Sequence, residues 1–234
     1  MIKNSILLCT FNEGKYIKDT ILSLKKNIQD LEIIIVDDAS SDETISIINS
    51  LNSIENLKII QRTKTSGLGS AFQRAVIESQ GENIGWIDTN MGSLAEKFPV
   101  MIEELKNSDL VLLSRYVDGG SDERVFIRVF CSKLINYFCR LILSNKIKDY
   151  TSSIFIMKRS ILNEAVLLGY GHGDFFIEFL YSIIKKNFIV KEVPYKQKKD
   201  DDDVDSNTSP NLPRFFVLGF FYFTRIIITK FRRK

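Results

Sequence analysis

Leu31-Glu32-Ile33-Ile34-Ile35-Val36-Asp37-Asp38-Ala39-Ser40-Ser41-Asp42-Glu43-Thr44 is the stretch that decides how this chain folds. Four β-branched apolar residues, Ile33 to Val36, run without a polar break. That is the pattern of a strand buried on both faces, as in a parallel sheet covered by helices. The run stops on Asp37 and Asp38. Ala39 to Asp42 then make a turn. A helix is expected from Glu43, with Ser41 or Asp42 able to cap it. Two carboxylates thus sit at the carboxyl end of a central strand, where open α/β sheets bind ligands. The same residues would also serve an ordinary strand-to-helix turn.

Outward from that stretch the pattern repeats. Ser5 to Thr10 reads as a strand, and Lys15 to Ile28 as a helix with Ile17, Ile21, Leu22, Leu24 and Ile28 on one side. A helix is expected near Glu43 to Leu51, a strand at Leu57 to Gln61, a glycine-bearing loop at Thr65 to Gly69 and a helix at Ser70 to Ser79. Ile84 to Asp88, Glu96 to Leu105 and Leu110 to Ser114 come next as strand, helix and strand, with Pro99 near the start of that helix. Strand–helix alternation with short loops predicts an α/β fold with a mostly parallel, Rossmann-like sheet flanked by helices. The strand ends at Thr10, Asp37, Asp88 and Ser114 would then share one edge.

After Tyr116 the pattern changes. Val125 to Leu143 reads as a long apolar helix carrying Arg124, Arg128, Lys133 and Arg140 in or beside it. Asp149 to Ser153 is a polar loop, Phe155 to Met157 is short and extended, Phe175 to Ile184 is a helix and Ile189 to Val193 a final strand. Lys196 to Ser209, with four consecutive aspartates at Asp200 to Asp203, reads as a mobile loop. Residues 1–211 form one domain on this reading. Residues 212–234 form an amphipathic, aromatic and basic helical extension, one helix or a pair, that would lie in a membrane interface or pack on the core.

Composition narrows the class. Hydrophobic residues at 44% and charged residues at 26% describe a globular chain. A net charge of +3 is too small to argue for nucleic acid. Cys9, Cys131 and Cys139 lie in apolar segments without metal-ligand spacing and read as reduced core residues. His172, the single histidine, sits between Gly171 and Gly173 and reads as a loop residue or a substrate contact. Met1 to Asn4 leads straight into a strand, so no signal peptide is expected. No uncharged apolar run reaches the roughly 18 residues of a spanning helix.

Asp88-Thr89-Asn90 falls at a strand end, where side chains can point into a cleft. A carboxylate there can hold a hard divalent cation through oxygen, and the cation can neutralise a pyrophosphate as it leaves. Asn90 supplies only a neutral amide oxygen.

Several motifs in this order resemble those of family 2 glycosyltransferases of the GT-A fold, in the branch of polyprenyl-phosphate or dolichyl-phosphate mannose and glucose synthases. They are Thr10-Phe11-Asn12-Glu13, Val36 to Thr44, Arg62-Thr63-Lys64 with Gly67 to Ala71, and Ser114-Arg115-Tyr116-Val117 with Gly119-Gly120. Arg128 with Ser132, Asp149 with Thr151-Ser152, and Glu178 before Glu192-Val193-Pro194 continue the series, which spans about residues 5–195. The resemblance implies a nucleotide pocket lined by Thr10, Phe11 and Glu13, with Val36 and Asp38 holding base and ribose. It puts Asp88, Thr89 and Asn90 at sugar, metal and pyrophosphate, Arg115 at the donor phosphate, and Arg128 and Ser132 at the acceptor phosphate. Magnesium or manganese, bound weakly by Asp88 and Asn90, is the expected cofactor. Gly92 stands where the family often has a metal-binding side chain, and the acidic run after Lys199 replaces a basic loop.

The expected activity is inverting transfer from a GDP- or UDP-linked sugar to a polyprenyl phosphate or a surface glycan. A phosphate acceptor needs no general base; a hydroxyl acceptor would need one, and Asp149 or Glu178 could serve. The expected location is cytoplasmic and peripheral, on the inner face of the membrane. Two alternatives stay open. One is a non-catalytic or metal-impaired homologue that binds a nucleotide sugar or a protein partner. The other is a nucleotidyltransferase, for which Phe11 to Lys15 make a poor phosphate loop.

Overall fold

The computed structural model describes residues 2–165, 167, 169–171, 173–199 and 212–232. His172 and the acidic run Asp200 to Asp203 lie outside them. Strand β2 (Leu31–Asp37) is buried at every residue and runs parallel to β1 (Asn4–Thr10) on one side and β3 (Leu57–Gln61) on the other. Its side chains alternate between two cores. Ile34 and Val36 pack with Leu7, Phe72 and Trp86, whereas Ile33 and Ile35 pack with Ile6, Ile17 and Phe98. Helices on both faces of the sheet explain why the run carries no polar residue.

The remaining strands are β4 (Asn83–Trp86), β5 (Leu110–Ser114), β7 (Phe155–Lys158) and β8 (Val190–Pro194), giving a seven-stranded sheet in the order β3-β2-β1-β4-β7-β5-β8. Two short strands, β6 (Ser121–Asp122) and β9 (Lys196–Gln197), pair in parallel beside it. The sheet is parallel except for β7, which runs antiparallel between β4 and β5. The carboxyl ends of β1, β2, β4 and β5 therefore share one edge, as the alternation predicts. The central place of β7 was not legible in a short extended run, because both its partners are distant in sequence.

The helices are α1 (Gly14–Asn27), α2 (Thr44–Ser50), α3 (Leu68–Glu78), α4 (Phe98–Glu104), α5 (Phe126–Ile142), α6 (Asp174–Lys185) and α7 (Leu212–Phe231). Several boundaries differ from expectation: α3 starts at Leu68, inside the expected loop, and Lys196–Gln197, read as part of a mobile loop, form β9. The strand read to Asp88 stops at Trp86, and residues from Thr89 to Lys97 form a 3-10 helix ahead of α4. The backbone begins to turn at Asp88, whose carbonyl accepts the Met91 amide at 2.9 Å. The C-terminal segment is a single helix. Ile226 is fully buried in the core, and the Phe223 ring meets Phe138 of α5 edge-on at 5.3 Å.

The edge is tied together by Asp37. Its carboxylate is fully buried and accepts Thr10 Oγ1 from β1 at 2.9 Å, together with the Ser40 amide at 2.9 Å and the Ser40 hydroxyl. Asp37→Ala leaves those donors unpaired and is expected to cost about 3 kcal/mol, the scale of losing hydrogen bonds to a buried charge. Urea unfolding with an unchanged slope checks this; unchanged stability would show that the carboxylate is not the tie.

Candidate active site

Asp38 lies next in sequence but faces the opposite loop. Its carboxylate accepts Arg62 Nη1 at 2.8 Å, the Ser66 amide at 2.9 Å and the Gly67 amide at 2.8 Å. Burial works against the charged form, yet Arg62 and the two amides hold its carboxyl below the usual range. Gly67 takes φ +88°, a conformation open to glycine, which aims its amide at Asp38 just before α3 begins. Arg62 also donates to Ser70 Oγ at 3.0 Å from both terminal nitrogens. Ala39 is held at φ 64° between these contacts and Ser40. Beside it opens a cleft of about 470 Å³ lined by Ala39, Ser40, Gln61, Arg62 and Thr63.

The first loop is laced to the second. Ser40 Oγ accepts the Asn12 amide at 2.8 Å, and Asn12 Oδ1 accepts the Ser41 amide at 2.9 Å. Asp42 does not cap α2 by the usual N-cap geometry. It accepts the Thr44 amide and the Gly14 amide, joining the starts of α1 and α2. Of the residues expected to line a nucleotide pocket, Phe11 is on the surface of this edge and Glu13 is half-buried in it. Thr10 is spent on Asp37. Val36 is fully buried in the core, so its side chain does not reach the cleft. Arg62 is the cleft residue that the expected site omitted, although it stands in one of the family motifs.

Asp88 is half-buried, Thr89 buried and Asn90 exposed. Thr89 hydrogen-bonds the Glu13 carboxyl, while burial first and then the charges of Asp88 and Asp42 push that carboxyl up to about 7. Glu13 and Asp88 thus bring two carboxyl groups to one corner. A divalent cation held by Asp88 and Asn90 fits it, through few ligands. Among the described residues there is no cluster of three or more Asp, Glu, His or Cys that would form a fuller site. Gly92 cannot be exchanged for a ligand in place: a Cβ there would run into Thr20 Oγ1 and lie 2.8 Å from Thr20 Cα. Thr20 in turn donates to the Thr89 carbonyl at 2.5 Å, so Gly92 lets α1 approach and fix the Asp88–Asn90 turn.

Beyond β5 the charges are arranged in pairs. Arg115 is 5% exposed, and Nε and Nη2 donate to the two oxygens of Asp149 at 2.8 and 2.7 Å. Nη2 also reaches Thr151 Oγ1 at 2.8 Å, and Nη1 lies 3.6 Å from Asp122. Burial alone would lower the pKa of the guanidinium, but Asp149 outweighs it and raises it. Arg115, expected from the family motifs at a phosphate, is anchored to Asp149 and Asp122 in this state. Arg124 shares Asp122 at 2.7 Å. Ser132 Oγ meets Thr151 Oγ1 at 3.2 Å, so Ser132 belongs to this cluster, and half-buried Arg128 stands one turn earlier on α5.

The two carboxylates expected as possible bases are both engaged. Asp149 is fully buried with both oxygens on Arg115. Glu178 is 1% exposed and pairs with Arg225 of α7 at 3.3 Å and with Arg232, just past the end of α7, at 2.7 Å. Arg225 also holds Asp174 at 2.7 Å and lies 4.6 Å over the Tyr170 ring. Asp122, Asp174, Arg225 and Arg232 were absent from the expected site. Arg225 and Arg232 read as part of a basic terminus, and nothing in their spacing names partners on α6. All three cysteines are free, and burial pushes their thiols up; Cys139 is core and Cys9 packs against it, whereas Cys131, expected in the core, is half-buried outside both clusters.

The family model for glycosyl transferase family 2 matches residues 5–166. The chain belongs to this family. It is 34% identical over 167 residues to a dolichol-phosphate mannosyltransferase of Pyrococcus furiosus, covering 69% of this chain and 47% of the relative. It is 29% identical over 143 residues to a dodecaprenyl-phosphate galacturonate synthase of Rhizobium johnstonii, covering 60% of this chain and 42% of that one. The chain thus spans less than half the length of these relatives. Its fold matches glucosyl-3-phosphoglycerate synthase of Mycobacterium tuberculosis with a TM-score of 0.75 at 14% identity, over 99% of this chain and 81% of that one. The mostly parallel sheet is the GT-A arrangement that the motifs implied.

The Glu13 corner gives a pH signature. A carboxyl raised from 4.5 to about 7 in the fold costs nothing while protonated in both states. Stability is fully present below the unfolded value and lost as pH rises from about 4.5 through about 7. Glu13→Gln is expected to flatten that decline, so the variant gains most over the parent above pH 7 in thermal melts. Parallel pH profiles for the two proteins would contradict the placement of Glu13.

Proposed function

We propose that the chain catalyses inverting transfer of a hexose from a nucleoside-diphosphate sugar to the phosphate of a polyprenyl phosphate. The observation that carries this reading is that the buried carboxylates nearest to the role of base, Asp149 and Glu178 among them, are taken up by arginines. Asp149, Asp174 and Glu178 all lie in ion pairs with arginines. A sugar hydroxyl would need a base to take its proton. A phosphate oxygen is already anionic and can attack the anomeric carbon directly, from the face opposite the leaving diphosphate. The bond from that carbon to the diphosphate oxygen breaks as the new bond forms, which inverts the centre. The names of the Pyrococcus and Rhizobium relatives, a dolichol-phosphate and a dodecaprenyl-phosphate enzyme, support the acceptor class.

The chain's own residues divide the work. The cleft beside Arg62 suits a base and ribose, with Asp38 reaching them once Arg62 or the Ser66–Gly67 amides yield. Asp88 and Asn90 would hold magnesium or manganese, whose charge offsets that of the departing diphosphate. The related fold from Mycobacterium was crystallised with Mn2+ and UDP, which supports a nucleotide and a divalent cation as ligands. Arg128 and Ser132 would meet the acceptor phosphate, since a guanidinium binds phosphate oxygens in pairs. GDP and UDP remain equal candidates for the donor.

A membrane surface fits the same reading. No described helix is long and apolar enough to cross a membrane. Yet α5 exposes Phe126, Phe130, Leu134, Tyr137 and Leu141 at helical spacing, and α7 exposes Phe220, Phe221 and Phe231. Packed side by side, the two helices offer apolar rings with Lys133, Arg140 and Lys230 nearby, as in helices that lie in an anionic interface. The cytoplasmic leaflet, where nucleotide sugars and anionic lipids meet, is the surface we assign.

Vesicles carrying polyprenyl phosphate test the reading as a whole. With a GDP- or UDP-sugar and manganese, label should pass to the lipid phosphate. Asp88→Ala should slow transfer by about 100-fold or more, the scale of losing one group that stabilises developing charge. Phe126→Ser with Phe130→Ser should slow transfer to the vesicle-borne acceptor while leaving nucleotide-sugar hydrolysis in solution unchanged. Transfer to a glycan hydroxyl with none to the lipid phosphate would overturn the acceptor assignment.

A further inference from the structure

A second cavity lies between α6 and α7, away from the cleft beside Arg62. It has a volume of about 120 Å³ and is lined by Tyr181, Ser182, Lys185, Lys186, Thr229 and Arg232. Ser182 is 3% exposed and Thr229 4% exposed. Neither hydroxyl oxygen has a hydrogen-bond partner among the described residues. A buried hydroxyl without a partner is costly and rare. Here two of them, one from each helix, belong to residues that line one cavity, the oxygens lying just beneath its wall.

The surrounding charge is positive. Lys185 and Lys186 close the end of α6 and form no ion pair among the described residues; the Lys185 ammonium lies 5.8 Å from the centre of the Tyr181 ring. Lys230 approaches the same ring at 6.0 Å. Arg232 lines the cavity while Nη1 is committed to Glu178 Oε1 at 2.7 Å. Glu178 itself is not part of the lining, and its charge is met by Arg225 and Arg232. The carboxyl ends of α6 and α7 both repel an anion weakly, and three ammonium groups against two half-charges leave the balance positive. The cavity also exceeds the space that one water needs.

We propose that this cavity binds a phosphate group, which pins the last turns of α7 to α6. Ser182 Oγ and Thr229 Oγ1 donate to its oxygens, and Lys185 and Lys186 supply charge-assisted bonds from the open side. A tetrahedral oxyanion can accept from both helices at once, satisfying the two hydroxyls together. The site is independent of glycosyl transfer. The group can come from free phosphate or from the headgroup of an anionic lipid, given the apolar faces of α5 and α7.

Thermal melting in inorganic phosphate, against chloride at equal ionic strength, reads the site. The wild-type chain should gain about 2–4 °C at saturating phosphate, and the Ser182→Ala/Thr229→Val double variant should gain nothing. Without phosphate that variant should melt no lower than wild type, because it has lost two unpaired buried hydroxyls. A second arm measures flotation with phosphatidylcholine vesicles containing phosphatidic acid. Weaker flotation of the double variant identifies a lipid headgroup as the source; equal flotation with the phosphate shift lost identifies the free anion. If the two proteins respond alike in both arms, the cavity is not a phosphate site.

Discussion

Everything at the binding edge depends on how two successive carboxylates find donors where β2 ends. Asp37 and Asp38 are both buried, and a buried carboxylate without partners is costly. Because side chains alternate along a strand, the two point in opposite senses. Asp37 turns towards Thr10 and Ser40, fixing the loop after β1 against the loop after β2. Asp38 turns towards Arg62, Ser66 and Gly67, fixing the loop after β3. Three loops are thereby set relative to one another by two adjacent residues. The cleft beside Arg62 is the space they leave.

A second constraint shapes the other half of the edge. Arg115, Asp122, Arg124 and Asp149 are mutually paired, with the carboxylates of Asp122 and Asp149 at 1% and 0% side-chain exposure. Such pairs gain little net stability over apolar packing, but removing one member strands a charge. Their value here is geometric. Asp149 also accepts the Arg115 amide at 3.1 Å, which fastens the end of β5 to the loop before β7, and Ser132 and Thr151 extend the link to α5. The same pairing occupies Asp149, so it is not free to take a proton from an acceptor, which is in keeping with the acceptor proposed above. On α6 and α7 the ion pairs of Arg225 and Arg232 do comparable work, closing the last helix over Asp174 and Glu178.

The parallel sheet was legible because most of its strands carry a signal of their own: a short apolar run, a polar stop and a helical period after it. The site was legible only in part, because sequence shows which residues stand at a strand end but not which way they turn. Thr10 and Asp37 read as equal partners of Phe11 and Asp38, yet they face inward and bind each other. Val36 carried a family motif and proved to be core. Arg115 and Asp149 were read separately, one at a phosphate and one as a base, and they are partners across 34 residues of chain. Gly92 read as a missing ligand, and the structure shows it as a point of close approach to Thr20. In each case the deciding fact is a contact between segments far apart in sequence.

Amide hydrogen exchange with and without nucleoside diphosphate and manganese reports most directly whether the joined loops form the donor site. Protection should rise together in residues 10–14, 37–42, 62–70 and 88–92, and stay unchanged along α6 and α7. Protection confined to α5, α6 or α7, with those four segments unaltered, would contradict it.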